Sequence, residues 1–206
     1  LVPAALLSCA TSLMGQTTLL NQNFNSGNVP PFGWSESNNG ASQGWQADVT
    51  GTMALHSDES GWNDNALISP VMDLTTVGLA FVHGVQGQNF SAWREQNLVQ
   101  VTLDGGLSFQ TIGQLSGPDG QGYSFHFDLS TYLGQSAVQL SLRYQGSYAN
   151  EWFLDHVVVD DQNPPPPAAH WPNLPTAFVS GVAWMEDFDA ITAGSLPPHM
   201  AVNSVN

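Results

Sequence analysis

The run NLVQVTLD at 97–104 alternates without a break, with Leu98, Gln100 and Thr102 on one side and Val99, Val101 and Leu103 on the other. Side chains of an extended strand point to opposite faces in turn, so a period of two marks a strand. Other short strand-like runs follow one another along the chain: TTLLNQNF (17–24), GWQADV (44–49), TMALHS (52–57), NALISPVMDL (65–74) and VGLAFVHGVQG (77–87). SFQTIGQL (108–115), YSFHFDLS (123–130), AVQLSLRYQG (137–146) and EWFLDHVVVD (151–160) complete the set. Gly, Asn, Asp and Pro punctuate them, Pro70 marks an edge or a bulge, and no stretch sustains a helical period. About ten short strands with turn signals every 8–12 residues predict an all-β fold, a sandwich of two antiparallel sheets.

Such a sandwich must fill its interior, and hydrophobic residues at 42% are enough for a sizeable core. Charged residues are only 9%, well below the roughly 25% of an ordinary soluble domain. Polarity comes instead from Asn, Gln, Ser, Thr and Gly, which suits an extracellular β protein. Arg94 and Arg143 are the only strong cations, against a formal net charge of −15. A nucleic-acid binder needs Lys and Arg to neutralise phosphates, so that class is excluded, and anionic membranes are disfavoured. Calcium is the natural counter-partner of such a surface; solubility alone is the plainer reading of the charge. Cys9 is the single cysteine, so no internal disulfide can form.

Four regions follow from composition. LVPAALLSCATSLMGQ (1–16) is a short apolar run followed by small residues, and reads as the remnant of a signal peptide. It is too short to span a bilayer, and no transmembrane segment is predicted. LLSC within it also matches a lipobox, in which Cys9 would be acylated to give a lipoprotein; cleavage nearer Gln16 fits as well. One module is expected at 17–161. A Pro-rich stretch at 162–175, with four consecutive prolines, reads as a semi-rigid linker. At 176–206 a second start can be laid on the first: Phe188 falls on Phe24, Gly194 on Gly27, and Pro197–Pro198 on Pro30–Pro31. That is an internal repeat, the first strand region of a second, truncated module.

Four motifs in order carry a family resemblance. The opening one comprises Phe24, Asn25, Gly27, Pro30, Pro31, Gly33 and Trp34; the next is LISP at 67–70 with Asp73 and Leu74. The third is Val101, Thr102, Asp104, Gly105, Gly106, Ser108 and Phe109, and the last is Leu154, Asp155, Val157 and Val159. In order and spacing this resembles the MAM-like, cleaved-adhesin or choice-of-anchor J modules of bacterial secreted proteins, over about 19–161. The resemblance implies a jelly-roll β-sandwich in a multidomain secreted or cell-surface protein, serving adhesion, glycan or protein binding, or domain spacing. It also implies a structural calcium site joining the first and last strands. Here that site would draw on Gln22, Asn23, Asn25 and Asp155, and amides at three of the four positions make it weak or absent.

Catalytic signatures are sparse. No histidine forms an HExxH-type pair, and Asp155 and His156, adjacent on a strand, are expected to face opposite ways. Glu36, Glu59, Glu95 and Glu151 are the glutamates from which a glycosidase pair could be drawn, and all are expected in turns or at strand ends. TLDGGLSF (102–109) fits an Asp-box. A single copy reads as a hairpin device in which Asp104 bonds turn amides and Gly105–Gly106 supply positive φ. Trp34 and Trp45 are expected in the core. Trp62, Trp93 and Tyr148, expected in polar loops, are the candidate ligand-binding residues, because a large rigid ring stacks on a sugar or anchors a partner at little entropic cost. The function read from the sequence is a noncatalytic binding or adhesion module for glycan or protein. A passive spacer is the alternative, and a jelly-roll glycoside-active enzyme is a more distant one.

Overall fold

The computed structural model describes residues 16–41, 43–58, 61–89, 95–117, 119–149 and 151–162. The expected linker from 163 onward and second start, and all but the last residue of the expected leader, lie outside the described residues.

The described chain is a jelly-roll sandwich of eleven strands: β1 (Thr18–Gln22), β2 (Ser35–Asn38), β3 (Trp45–Ala47), β4 (Ala54–Ser57), β5 (Trp62–Ile68), β6 (Phe81–Asn89), β7 (Gln96–Thr102), β8 (Gln110–Leu115), β9 (Gln121–Asp128), β10 (Gln139–Ser147) and β11 (Glu151–Asp160). One 3-10 turn, Ser130–Tyr132, is the only helical element among the described residues. Sheet A has the order β3-β4-β11-β6-β9, with β1 also paired to β11; sheet B has the order β2-β5-β10-β7-β8. Every pairing is antiparallel.

Two differences from the sequence reading have local causes. β2 is an additional strand: its residues, SESN, carry no apolar alternation, and β5 recruits it through Ser35↔Ile68 to Asn38↔Asn65. β5 runs 62–68 rather than 65–74. Pro70 cannot donate to a ladder and ends it, while Asn63 and Asn65 occupy inward positions where apolar residues were sought.

The core lies between the sheets. Val99 and Val101 of β7, Leu140, Leu142 and Tyr144 of β10, and Leu67 of β5 meet Trp152, Leu154, Val157 and Val159 of β11 and Val82 of β6. The opening motif closes one flank: Phe24 and Trp34 are both buried in this core, their rings 6.0 Å apart. Trp45 packs 5.0 Å from Trp152, whose indole Nε1 donates to Gln86 Oε1 at 3.0 Å.

Opposite strand ends define two poles. At one, the strand ends Ser57, Asn89 and Ser147 meet the strand starts Trp62, Gln96 and Glu151. At the other, Thr18 pairs with Asp160 and Asp161 N donates to Thr17 O at 3.2 Å, so the two ends of the sandwich chain emerge together. A bulge between Leu154 and His156 lies opposite Gly84. A Cβ at position 84 would stand 2.3 Å from the His156 carbonyl oxygen, so only glycine fits there.

His56 of β4 is fully buried inside this frame, stacked on Tyr144 at 4.2 Å and edge-on to Trp45 at 5.6 Å. Its Nε2 pairs with the Asn65 side-chain amide at 2.8 Å, and its Nδ1 has no partner. Burial pushes its pKa from 6.5 down to about 4, against the opposing pull of the Asp58 carboxylate.

Two outcomes follow from this core. Phe24→Ala should cost about 3–5 kcal/mol in chemical denaturation. The unfolded chain takes up the His56 proton near pH 6.5 and the folded chain only near pH 4, so stability should fall as pH drops through that window. The loss should approach ~3 kcal/mol, and His56→Gln should flatten the pH 4–6.5 slope in urea melts at stepped pH.

Candidate functional site

At the pole opposite the chain ends, Trp62 opens β5 and pairs with Ser147, the last residue of β10; Tyr148 follows directly. The register therefore sets two aromatic residues side by side. Both are open to solvent, at 59% for Trp62 and 64% for Tyr148. Trp62 is thus a strand residue rather than the loop residue expected from its polar neighbours. The alternation that would have revealed it is written in asparagines: Asn63 and Asn65 face inward and are fully buried, and Asp64 faces out. Trp93 lies outside the described residues.

One carboxylate fastens this pole. Asp58, buried just before Trp62, accepts hydrogen bonds from Tyr144 Oη at 2.7 Å, from the Asn63 side-chain amide, and from Ala149 N at 3.4 Å. It therefore ties the β4–β5 connection to the turn that carries Tyr148. Tyr148 itself sits at φ +52°, a conformation uncommon for a side chain of this size and characteristic of ligand-facing turns.

Sheet B carries the same strands away from the pole, and its outward residues form cross-strand rows. The first row past Trp62 and Ser147 holds Asp64 and Gln145; the next holds Ser37, Ala66, Arg143 and Leu98; the third holds Ser35, Ile68, Ser141, Gln100 and Thr111. Across the third row the flanks are exposed at Ser35 and Thr111, and the middle is buried at Ser141 and Gln100, which is the cross-section of a trough. Arg143 grips Asp64 with two bonds, Nε to Oδ1 at 2.5 Å and Nη2 to Oδ2 at 2.6 Å, and Gln145 Nε2 adds a third at 3.2 Å. The guanidinium bonds hold the Asp64 carboxyl below its ordinary range.

The other residues singled out from the sequence fall elsewhere. Asp104 sits on the β7–β8 hairpin: its carboxylate accepts from Ser108 Oγ at 2.6 Å, Ser108 N at 3.0 Å, Thr102 Oγ1 at 2.7 Å and Leu107 N at 3.0 Å. Those donors, led by the Ser108 hydroxyl, hold it far below the usual carboxylate range, and Gly105 and Gly106 take φ of +73° and +92°. Gln22 pairs with Val157, two residues from Asp155; Asn23 follows β1, and its Oδ1 accepts from Asn25 N at 3.1 Å. No group of three or more His, Cys, Asp or Glu converges among the described residues.

Asp155 and His156 depart from the expected opposition of neighbours. The bulge breaks the alternation, and Asp155 Oδ2 stands 3.2 Å from His156 Nδ1 on a part-exposed surface. Glu36 lies within β2 rather than in a turn; it accepts from Trp45 N at 2.8 Å, and burial raises its pKa. Glu59 lies outside the described residues. Trp34 and Trp45 are both buried in the core.

No family model matches the chain, and a search of curated proteins returns no match. Solved structures do match. The K1 cleaved adhesin domain of Lys-gingipain from Porphyromonas gingivalis W83 is 19% identical, with a TM-score of 0.52, covering 71% of this chain and 99% of that domain. The K3 cleaved adhesin domain of the same protein is 17% identical, with a TM-score of 0.55 and the same coverage, 71% and 99%. TmCBM61, solved in complex with beta-1,4-galactotriose, is 11% identical, with a TM-score of 0.50, covering 68% of this chain and 95% of that one. At these identities the likeness is one of fold: the chain shares the jelly-roll sandwich of cleaved adhesin domains and a carbohydrate-binding module.

Proposed function

We propose that the sandwich is a noncatalytic binding module of a secreted or cell-surface multidomain protein, which holds a glycan or protein ligand at the pole of Trp62 and Tyr148. The observation that carries this reading is placement. Two exposed aromatic residues are set together by the β5–β10 register, at the pole away from the paired chain ends at Thr17 and Asp161. A module tethered at one pole presents the other to its surroundings. Rigid aromatic rings are the side chains that gain most from capture of a sugar or a partner surface. The fold neighbours, adhesin domains and a galactotriose-bound module, support the reading by analogy of fold. The finer assignment to the MAM-like or choice-of-anchor J groups belongs to this proposal and rests on the four sequence motifs.

A weak structural calcium site at Gln22, Asn23, Asn25 and Asp155 is part of the same proposal. The end of β1 runs beside Asp155, and amide and carboxylate oxygens are the donors calcium takes.

Binding to glycan and surface-protein arrays, followed by titration of the hits, tests the main reading. Trp62→Ala and Tyr148→Ala should each weaken binding about tenfold or more and leave the melting temperature unchanged. Variants that bind like the parent would favour a passive spacer. For calcium, the melting temperature should rise modestly between excess chelator and millimolar calcium, and Asp155→Asn should remove the rise. An identical melting temperature in both buffers would overturn the site.

A further inference from the structure

Two polar atoms on the outer face of sheet B are buried and have no hydrogen-bond partner: Gln100 Oε1 and Ser141 Oγ. Their residues are cross-strand neighbours on β7 and β10, exposed by only 4% and 0%. Both face away from the core, since Val99, Val101, Leu140 and Leu142, which flank them in sequence, are core residues. The Gln100 amide is not idle: its Nε2 donates to Thr111 Oγ1 at 3.0 Å, which fixes the carbonyl oxygen in place. An unmet buried acceptor costs stability, and native structures keep such groups rarely. A pair of them at the floor of a trough in an outer face calls for a ligand that supplies hydroxyls.

The rest of the face points the same way. From the pole inward, Trp62, then Asp64 with Gln145, then Arg143, then Ser141 with Gln100 step along β5 and β10 on one side of the sheet. The span from Trp62 to the Ser141 row is about 20 Å at the rise of a strand. It offers a ring for stacking at one end, a fixed ion pair in the middle, and an unmet carbonyl and hydroxyl at the other end. A linear chain of sugars presents those complements in sequence, ring faces alternating with hydroxyls that both donate and accept. Charge selects the class. Arg143 is the only Lys or Arg among the described residues, and Asp64 already holds its guanidinium, while the whole chain carries a formal −15. Uronate, sulfate or phosphate groups would meet repulsion with no cation on this face to receive them.

We propose, building on the binding-module reading above, that the outer face of sheet B is an extended groove for a linear neutral polysaccharide, with Trp62 stacking on a sugar ring and Gln100 and Ser141 receiving sugar hydroxyls. Gln100 and Ser141 are then the specificity residues, and Trp62 supplies affinity at the pole.

Affinity electrophoresis of the 206-residue chain through gels containing galactan, xylan, mannan or mixed-linkage glucan tests this, with polygalacturonate and alginate as the anionic set. Calorimetry with oligosaccharides of increasing length from any polysaccharide that retards the chain follows. At least one neutral polysaccharide should retard the chain, and affinity should rise over several sugar units. Gln100→Met and Ser141→Ala should each weaken binding about tenfold. Ser141→Ala removes only an unpartnered hydroxyl, so its melting temperature should hold; it keeps the test decisive where Gln100→Met fails to fold.

Retardation by the anionic set alone would overturn the groove, as would affinity that saturates at one sugar. Loss of binding in Trp62→Ala with no change in Gln100→Met and Ser141→Ala would confine the site to the pole, removing the groove and leaving the binding module. Indifference to every polysaccharide, combined with capture of a surface protein that Trp62→Ala abolishes, would have the same consequence. Indifference to every polysaccharide and every array ligand would remove both.

Discussion

Backbone pairing to β11 holds three strands of sheet A at once. One edge of β11 carries β6 along its length, and the other is shared, β4 along Glu151–Leu154 and β1 along Val157–Asp160. The same strand sends Trp152, Leu154, Val157 and Val159 into the core. The strand that joins sheet A is thus the last one of the sandwich in the chain, and its partner β1 is the first. Pairings so distant in sequence form only after long loops close, which makes this a slow-folding topology whose stability resides in the whole sheet. The bulge after Leu154 lets one strand serve two edge partners, and Gly84 exists to accommodate it.

Around that frame the interior changes character from one pole to the other. Toward the chain ends it is aliphatic and aromatic. Toward Trp62 it fills with buried polar groups: Asp58, Asn63, Asn65, His56, Gln86, Gln88 and Asn97. Asn97 Nδ2 reaches Gln88 Oε1 at 3.1 Å, and Gln88 in turn donates to the Gly117 carbonyl. An apolar filling would stabilise the sandwich at least as well. What the polar filling does is orient. Each bond joins a strand end to a connection, and the Asp58 carboxylate alone links the β4–β5 connection, β5, β10 and the Tyr148 turn. Rigid placement of exposed rings follows from that, and preorganised rings lose less entropy when they bind.

Much of the architecture was legible from periodicity. β7, β10 and β11 alternate openly, and their inward residues are the ones that alternation assigned. The Asp104 hairpin could be read too, because its chemistry is local: a carboxylate, two glycines and a serine within five residues. The short polar β2 could not be read, since its pairing comes from β5 and not from its own residues. The start of β5 was hidden because its inward positions are asparagines, whose burial is tolerable only through partners far away in sequence. Asp155 and His156 were set on opposite faces by a rule that a bulge suspends.

The candidate site divides along the same line. Residue types, their order along the chain and the deficit of cations were determined by the sequence alone, because each is a property of single residues or of their spacing. These were sufficient to select an all-β binding module and to pick out Trp62 and Tyr148 as residues of interest. That those two stand together, that Gln100 and Ser141 lie unpartnered side by side, and that the chain ends meet at the far pole were decided only by tertiary structure. Strand register is the physical reason. It pairs residues some forty to ninety positions apart on a ladder whose hydrogen bonds are the same for every side chain, so it becomes definite only when the buried face of the whole sheet is satisfied.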